Sequence, residues 1–265
     1  MSGSNDHKRQ VQTQFGDTAA NYVTSPGHAR GDDLADLAAW AAPLGGGDRL
    51  ALDVATGGGH TARAIAAHYG RVVASDLTHQ MLTTAAAFIR GQSVTNVSYS
   101  CADAEQLPFK DDSFDLVTCR IAPHHFDDVR RFVYEVARVL RPGGYFLLID
   151  NLAPDDPDLG AFLNHVEALR DPTHVRVLSQ AEWRDLVTGA GLIVEDTLVH
   201  PKTHPFASWL DRANVPASQR PVVEAAFRDA PPAAHVAFTI TSDGAGRITS
   251  YSTHSLLLKA RKRDE

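Results

Sequence analysis

The sequence has little of what several classes of protein need. Of its 265 residues, only Cys101 and Cys119 are cysteine, which argues against a disulfide framework and favours a reducing compartment. No apolar run reaches the roughly 18 residues of a transmembrane helix, and the polar start of the chain lacks the apolar centre of a secretory signal. We therefore expect a cytoplasmic protein with no membrane span.

Basic residues and metal-binding motifs are also scarce. Lysine and arginine total 25 against 32 aspartate and glutamate residues, which gives a formal net charge of −7. Proteins that coat DNA or RNA neutralise phosphates with clustered basic side chains, so we expect no nucleic-acid partner. The 13 histidines include no HExxH motif, and His124 and His125 are adjacent, so no metal site is predicted.

Short apolar runs alternate with segments of helical spacing along most of the chain. The predicted strands are residues 49–55, 71–76, 96–101, 114–119, 145–149 and 192–199. The predicted helices are residues 11–22, 32–42, 60–69, 78–90, 129–140, 159–169 and 180–189. Strands that alternate with helices through short connections favour an α/β, doubly wound sheet. Residues 236–259 have the pattern of a hairpin, and residues 1–14 are expected to be loosely ordered.

A glycine loop follows the first predicted strand and is the first chemical signal. Gly57-x-Gly59 lets the backbone approach a ligand without interference from a Cβ atom, although this pattern alone is weak evidence. Asp53 lies inside the preceding strand, where a buried carboxylate needs a partner. Asp76 ends the second strand, where a carboxylate can accept both ribose hydroxyls of an adenosine. These residues fit NAD and S-adenosylmethionine equally well.

The segment after the third predicted strand is more specific. Asp103 stands where a carboxylate can accept a hydrogen bond from an adenine amino group. Leu107 and Phe109, with Phe114 beyond them, would anchor this loop in the core. A surface loop with a hydrophobic anchor explains the apolar residues but not the placement of Asp103.

Five segments between residues 50 and 150 are informative as a set: LDVATGGGHTA, ASDLTHQML, CADAEQLPFKDDSFDLV, RIAPHHF and VLRPGGYFLLID. Together they resemble the class I S-adenosylmethionine-dependent methyltransferases, in the branch of the ubiquinone/menaquinone-biosynthesis enzymes. The resemblance implies a Rossmann-like sheet of seven strands with an antiparallel last strand. It divides a single domain into lid helices (1–45), a cofactor-binding core (46–151) and the rest of the sheet with substrate-side insertions (152–265).

The resemblance also assigns residues to the cofactor. The glycine loop would hold the methionine portion, Asp76 the ribose, and Asp103 the adenine edge. Tyr22 and His28 would close over the site, or else belong to an amphipathic helix packed on the sheet. Met81 would pack near the base or simply in the core, and Arg120 would face the cofactor or form a surface ion pair. The expected cofactor residues are Tyr22, Asp53, Thr56, Gly57, Gly59, Asp76, Leu77, Met81, Asp103, Ala104 and Arg120.

The implied chemistry is an in-line displacement at a sulfonium methyl group, in which alignment supplies much of the rate. A base is needed only when the attacking group must lose a proton, and histidine titrates near neutrality. The candidates lie on loops that follow strands. They are His125, His174 and Asp150 as catalytic residues, and His124, Asn151 and Arg176 as substrate-binding residues. For both His125 and His174 a purely structural role is the alternative.

The predicted function is methyl transfer from S-adenosylmethionine to a small-molecule acceptor: a phenol, a quinol-like ring or an activated carbon. Two alternatives stay open. One is a cofactor-binding fold with a non-methylating or regulatory role, and the other is an NAD-dependent oxidoreductase, for which no Tyr-x-x-x-Lys pair is present. His204, Phe206, Trp209 and Leu210 are expected either to wall the site or to form a homodimer contact.

Overall fold

The computed structural model describes residues 6–16 and 31–264 of the chain. The helices are α1 (residues 6–16), α2 (Asp32–Ala41), α3 (His60–Ala66), α4 (His79–Gly91), α5 (Val129–Val139), α6 (Pro157–Arg170), α7 (Gln180–Gly189), α8 (Phe206–Arg212), α9 (Arg220–Arg228) and α10 (Pro232–Ala237). The strands are β1 (Gly46–Val54), β2 (Tyr69–Asp76), β3 (Val97–Cys101), β4 (Phe114–Arg120), β5 (Leu140–Leu152), β6 (Leu192–Pro205), β7 (Thr241–Ser242) and β8 (Ile248–Lys262). Tyr22 and His28, predicted to belong to the lid, lie outside the described residues.

The strands form one sheet in the order β3-β2-β1-β4-β5-β8-β6, with the short β7 paired to β8. Strands β1 to β5 pair in parallel, whereas β8 is antiparallel to both β5 and β6. This arrangement confirms the predicted doubly wound sheet with an antiparallel last strand. The strand order reverses between β1 and β4, and ligands of such sheets bind at the carboxyl ends of the strands at this point.

Apolar residues of the central strands are buried on both faces of the sheet, as expected for parallel strands covered by helices. On one face α5 contributes Phe132, Val133 and Val136 to a core that also contains Leu52 of β1. The Asp128 side chain caps the first turn of α5 by accepting a hydrogen bond from the Arg131 amide. On the other face Leu37 of α2 packs in a second core against β1 and β2.

A third apolar cluster forms beyond these two cores from the C-terminal helices and the start of β8. Phe206, Trp209 and Leu210 are buried in it, against Phe227 and Tyr251. The sequence predicts Phe206, Trp209 and Leu210 either on a wall over the site or in a homodimer contact. Their burial within the chain rules out both uses, because side chains enclosed by their own core present no surface to a second molecule.

Three expectations about chain segments need correction or a limit. Residues 236–240 do not form a strand, because two adjacent prolines precede them and Pro232 starts helix α10 instead. The predicted hairpin is present in a shorter form, in which the two residues of β7 pair with β8. The expected loose start of the chain is helical from residue 6. Within the described part of the chain, no helix has both the length and the hydropathy to cross a membrane.

Candidate functional site

A cleft with a volume of about 1030 Å³, partly open to solvent, lies at the carboxyl ends of β1 to β4. The residues that follow these four strands form its floor, and α1 forms one wall. The cleft therefore lies at the point where the strand order reverses, as the sheet topology requires. Of the residues predicted from sequence, it is lined by Thr56, Gly57, Asp76, Leu77, Met81, Asp103, Ala104, Arg120 and His125.

The two glycines of the loop after β1 have different roles. Both have a positive φ angle, +51° at Gly57 and +83° at Gly59, a backbone conformation that residues with a Cβ atom rarely adopt. A Cβ atom on Gly57 would meet nothing within 4 Å, so the backbone there faces open space in the cleft. A Cβ atom on Gly59 would lie 2.8 Å from Cδ1 of Ile89, so Gly59 serves the packing of the loop on α4.

Asp53 lies behind this loop and does not line the cleft. Its carboxylate accepts hydrogen bonds from Thr56 Oγ1 (2.6 Å), the Ala62 amide (3.1 Å) and Thr118 Oγ1 (2.7 Å). Burial raises the pKa of Asp53 to about 6, although these hydrogen bonds oppose the rise. The sequence predicts that Asp53 contacts the cofactor. In the structure Asp53 is 1% exposed and its carboxylate is held by donors from the loop, α3 and β4, so it shapes the loop from behind.

Asp76 and Asp103 place two carboxylates along the cleft. Asp76 ends β2 and accepts hydrogen bonds from the Gly57 amide (3.0 Å) and the Thr78 amide (2.8 Å). Burial raises the pKa of Asp76 despite these two donors. Asp103 follows β3, and its Oδ1 accepts from the Glu105 amide at 2.9 Å. Asp76 is thus held by amides of its own loop and of the glycine loop, and Asp103 by an amide of its own loop.

Helix α1 forms one wall of the cleft and makes contacts there that the sequence does not predict. Lys8 Nζ donates to Asp103 Oδ2 (2.6 Å) and Glu105 Oε2 (2.8 Å). Burial opposes the charge on Lys8, but these two carboxylates outweigh it and raise the pKa of Lys8. Gln12 donates to the Leu77 carbonyl at 3.0 Å, one turn further along the helix. No motif near the start of the sequence signals these contacts, because their partners lie far along the chain.

Arg120 lies at the end of β4, lines the cleft and forms an ion pair that is buried rather than exposed. Its Nε donates to Asp33 Oδ2 at 3.0 Å, and its Nη2 donates to Asp33 Oδ1 at 3.1 Å. Burial opposes the charge on Asp33, but Arg120 outweighs it and lowers the pKa of Asp33. The pair fixes the start of α2 against the end of β4.

His125 lines the cleft, and the substrate-side insertion determines its tautomer. Its Nδ1 lies 3.0 Å from the Thr173 carbonyl oxygen and 3.1 Å from Thr173 Oγ1. Thr173 Oγ1 donates its own proton to Asp171 Oδ1 at 2.6 Å, so it can only accept at His125. Nδ1 therefore carries a proton, and in the neutral ring Nε2 carries the lone pair. Phe15 packs edge-on to this ring, 5.0 Å between centroids.

The remaining predicted residues do not line the cleft. His124 is buried behind His125 and pairs with Asp150, Nδ1 to Oδ1 at 2.6 Å. The ring of His174 is hydrogen-bonded to Asn164 Oδ1 at 2.9 Å. Arg176 is exposed and forms an ion pair with Glu182, and Asn151 is half-buried within β5. The sequence reasoning missed Thr173, although this residue directly precedes the predicted His174.

Among residues 6–16 and 31–264, no three His, Cys, Asp or Glu side chains converge in a way that could hold a metal ion. The residues that line the cleft do fit S-adenosylmethionine. A Cβ atom on Gly57 would project into open space that a ligand could occupy, and the carboxylates of Asp76 and Asp103 suit ribose hydroxyls and an adenine amino group. Leu77 and Met81, which come between these two carboxylates in the chain, also line the cleft and add apolar surface.

Comparisons with known proteins agree with this fit. The methyltransferase-domain family matches residues 52–148. The Bacillus subtilis (strain 168) protein YcgJ, described as an uncharacterized methyltransferase, is 36% identical over 252 residues, or 95% of this chain and 99% of YcgJ. A crystal structure of YcgJ covers 88% of this chain and 99% of its own with a TM-score of 0.84.

Two further relatives extend the comparison. The crystal structure of a protein from Bacillus halodurans C-125, described as a methyltransferase, is 42% identical and has a TM-score of 0.84. It covers 88% of this chain and 100% of its own. A demethylmenaquinone methyltransferase of Clavibacter sepedonicus is 37% identical over 111 residues, which are 42% of this chain and 44% of that protein.

Proposed function

Because the chain belongs to the S-adenosylmethionine-dependent methyltransferases, we propose that it methylates a small molecule whose attacking group carries a proton: a phenol, a quinol-like ring or an activated carbon. The observation that carries this proposal is the cleft. Carboxylates suited to an adenosine line one part of it, and His125, with its tautomer set by Thr173, lines another. Membership of this family also removes the oxidoreductase alternative.

The cofactor would occupy the part of the cleft bounded by the glycine loop. Gly57 leaves room for the methionine portion, Asp76 would accept the ribose hydroxyls, and Asp103 with the Ala104 backbone would meet the adenine edge. S-adenosylmethionine supplies a methyl group on a positively charged sulfur, which leaves as a neutral thioether. Lys8 and Gln12 tie α1 to the loops that follow β3 and β2.

His125 would act on the acceptor. Its Nε2 can accept a hydrogen bond from the hydroxyl or carbon acid and orient the attacking lone pair. The proton on that group becomes strongly acidic as the new bond to carbon forms, so a weakly basic imidazole suffices to receive it. Nδ1 keeps its proton throughout, because Thr173 offers it only acceptors. The step ends with a methylated, neutral product and a protonated His125.

The walls of the cleft support an aromatic acceptor. Val11 and Phe15 of α1 line the cleft together with Ile121 and Phe126, which follow β4. Apolar and aromatic walls with a few polar groups are typical of small-molecule sites. A net charge of −7 disfavours a nucleic-acid acceptor. The relative that is named for demethylmenaquinone adds support for a quinol-like ring.

Thermal unfolding tests the cofactor first. The protein would be melted with S-adenosylmethionine, S-adenosylhomocysteine, NAD or NADP at matched concentrations, beside Asp76→Ala and the exposed control Asp229→Ala. A ligand at 100 times its Kd stabilises the folded state by about 2.7 kcal/mol. Stabilisation by the two sulfur compounds alone, lost in Asp76→Ala and kept in Asp229→Ala, is the expected result. Stabilisation by NAD, or by none of the four, would overturn the proposal.

Transfer of a labelled methyl group then tests the acceptor class. A panel of phenols, naphthoquinols and carbon acids would be incubated with labelled S-adenosylmethionine and the wild-type protein. We expect transfer to at least one of the three classes. Tight cofactor binding without transfer to any of them would overturn the acceptor class and favour the non-methylating alternative.

A further inference from the structure

Three histidines lie together behind the acceptor side of the cleft, and only one of them has a role in the proposed reaction. The ring centroids of His124 and His125 are 4.2 Å apart, and those of His124 and His174 are 5.9 Å apart. His125 lines the cleft, whereas His124 is buried behind it. Imidazoles this close cannot all be positively charged imidazolium ions, because like charges at such distances repel strongly in a buried site.

Asp150 determines which of the three is charged. Its carboxylate is 1% exposed, and Oδ1 lies 2.6 Å from His124 Nδ1. Oδ2 is buried and finds no hydrogen-bond donor within the described ranges. A buried carboxylate needs a counter-charge, and the imidazolium of His124 is the cation in contact with it. Burial opposes the charge on His124, but Asp150, followed by Glu167 and Asp171, outweighs it and raises the pKa of His124.

The two histidines next to this cation, His125 and His174, have lowered pKa values. Burial, and next the charge on His124, lower the pKa of His125. The same two causes lower the pKa of His174 to about 4. For His125 the geometry leads to the same state, since Thr173 fixes the proton on Nδ1 and a second proton on Nε2 would put two cations 4.2 Å apart.

We propose that His124 and Asp150 form a positioning pair that retains the one positive charge of the histidine cluster and thereby keeps His125 neutral, with its Nε2 lone pair available to the acceptor. This inference rests on the proposed function for the role of His125. It assigns His124 and Asp150 to the tuning of a base rather than to contact with the substrate. Besides His124, the described charged and titratable groups around His125 are His7, Asp127, Asp150, Glu167, Asp171 and His174.

Nuclear magnetic resonance of the histidine side chains tests the inference without an acceptor. Ring nitrogens of ¹⁵N-histidine-labelled protein would be followed from pH 4 to 9, with resonances assigned by His→Gln variants at positions 124, 125 and 174. We expect His124 to be an imidazolium at pH 7 and His125 to be neutral with its proton on Nδ1. A protonated His125 at pH 7, or one with its proton on Nε2, would overturn the proposal on wild-type protein alone.

Asp150→Asn adds a causal test, with Asp36→Asn as a matched control because Asp36 pairs with His200 elsewhere, at 3.5 Å. In Asp150→Asn we expect His124 to lose its proton and the midpoint of His125 to rise by about one pH unit or more. With a naphthoquinol as acceptor, the acid limb of kcat/KM should move up by the same amount while the rate at pH 8 is retained. Asp36→Asn should change neither quantity.

The outcomes separate the two claims. An unchanged His125 midpoint in a folded Asp150→Asn protein would overturn the positioning pair and leave the methyltransferase proposal intact. Absence of transfer with the expected protonation states would overturn the proposed acceptor and leave the charge assignment standing. If Asp150→Asn does not fold, the protonation states of the wild-type protein decide the inference.

Discussion

The cofactor side and the acceptor side of the cleft are built in different ways. On the cofactor side each carboxylate is held by amides of its own loop or of the neighbouring strand's loop: Asp76 by Gly57 and Thr78, and Asp103 by Glu105. On the acceptor side the contacts join distant segments, with His124 paired to Asp150 and His125 to Thr173. Hydrogen bonds within one loop or between neighbouring loops hold the carboxylates of the first side, to which α1 adds the ion pair of Lys8 with Asp103. The second side depends entirely on how the finished fold brings distant segments together.

This difference predicts how each side fails. A substitution on the cofactor side should disturb backbone geometry and therefore binding and stability together. A substitution on the acceptor side should leave the fold and the cofactor in place while it alters proton transfer. The predictions below test this contrast, beginning with the largest expected effect.

Gly59→Val should have the largest effect. Valine is poorly compatible with φ of +83°, and its Cβ atom would lie 2.8 Å from Ile89 Cδ1. We expect the free energy of unfolding to fall by roughly 3 kcal/mol or more and cofactor binding to be lost. Chemical denaturation and isothermal titration with S-adenosylhomocysteine measure the two quantities. Gly91→Ala is the control, since a Cβ atom there would meet nothing within 4 Å, and a stable Gly59→Val protein that binds cofactor would refute the expectation.

His125→Gln should come next. We expect kcat to fall about 10²-fold, in the range of a lost general base, with cofactor affinity unchanged. Single-turnover methyl transfer and cofactor titration would be compared in wild type, His125→Gln and His200→Gln, whose ring pairs with Asp36 instead. A parallel loss of cofactor affinity would mean that the two sides of the cleft are not separable.

His204 tests the third apolar cluster through the pH dependence of stability. Burial, and next the charges of Lys202 and Arg212, lower the pKa of His204 to about 3. Its folded pKa thus lies below the unfolded value near 6.5, so it lowers stability by about 1.4 kcal/mol for each pH unit as pH falls from that unfolded value toward the folded one.

The variant His204→Gln should remove this part of the pH dependence. Urea unfolding of both proteins between pH 7 and 4.5 would show a smaller loss of stability in the variant, with the exposed His79→Gln as control. Equal pH slopes in wild type and His204→Gln would contradict the assignment.

Lys8→Met should have the smallest effect. Lys8 pairs with Asp103 and Glu105 at a partly exposed site, where such pairs contribute up to about 1 kcal/mol. We expect hydrogen exchange of residues 6–16 to accelerate by a few-fold and to lose its sensitivity to salt. Arg9→Met on the same helix is the control, because Arg9 is exposed and pairs only with Asp6 within the described chain. Equal exchange in the two variants would show that α1 does not depend on Lys8.

Much of this molecule could be predicted from sequence, for identifiable reasons. Apolar runs of strand length and helical spacing located the main strands and helices, since burial demands those periods. Glycines and carboxylates at strand ends located the cofactor side, because a parallel sheet gathers these ends at one edge. The first strand of the predicted C-terminal hairpin is shortened to the two residues of β7, because the prolines that start α10 outweigh the alternation of apolar residues in this segment.

By itself the sequence determined the sheet, the glycine loop and the two carboxylates that line the cleft, because each depends on residues close in the chain or on adjacent strands. Only the tertiary structure decided that Asp53 shapes the loop from behind, that Lys8 closes the cleft, and that Thr173 fixes the proton of His125. Those contacts join segments that lie far apart in the chain, and no periodic sequence pattern indicates which segments will meet. Their energies arise from burial and charge that exist only once the sheet, α1 and the insertion have come together.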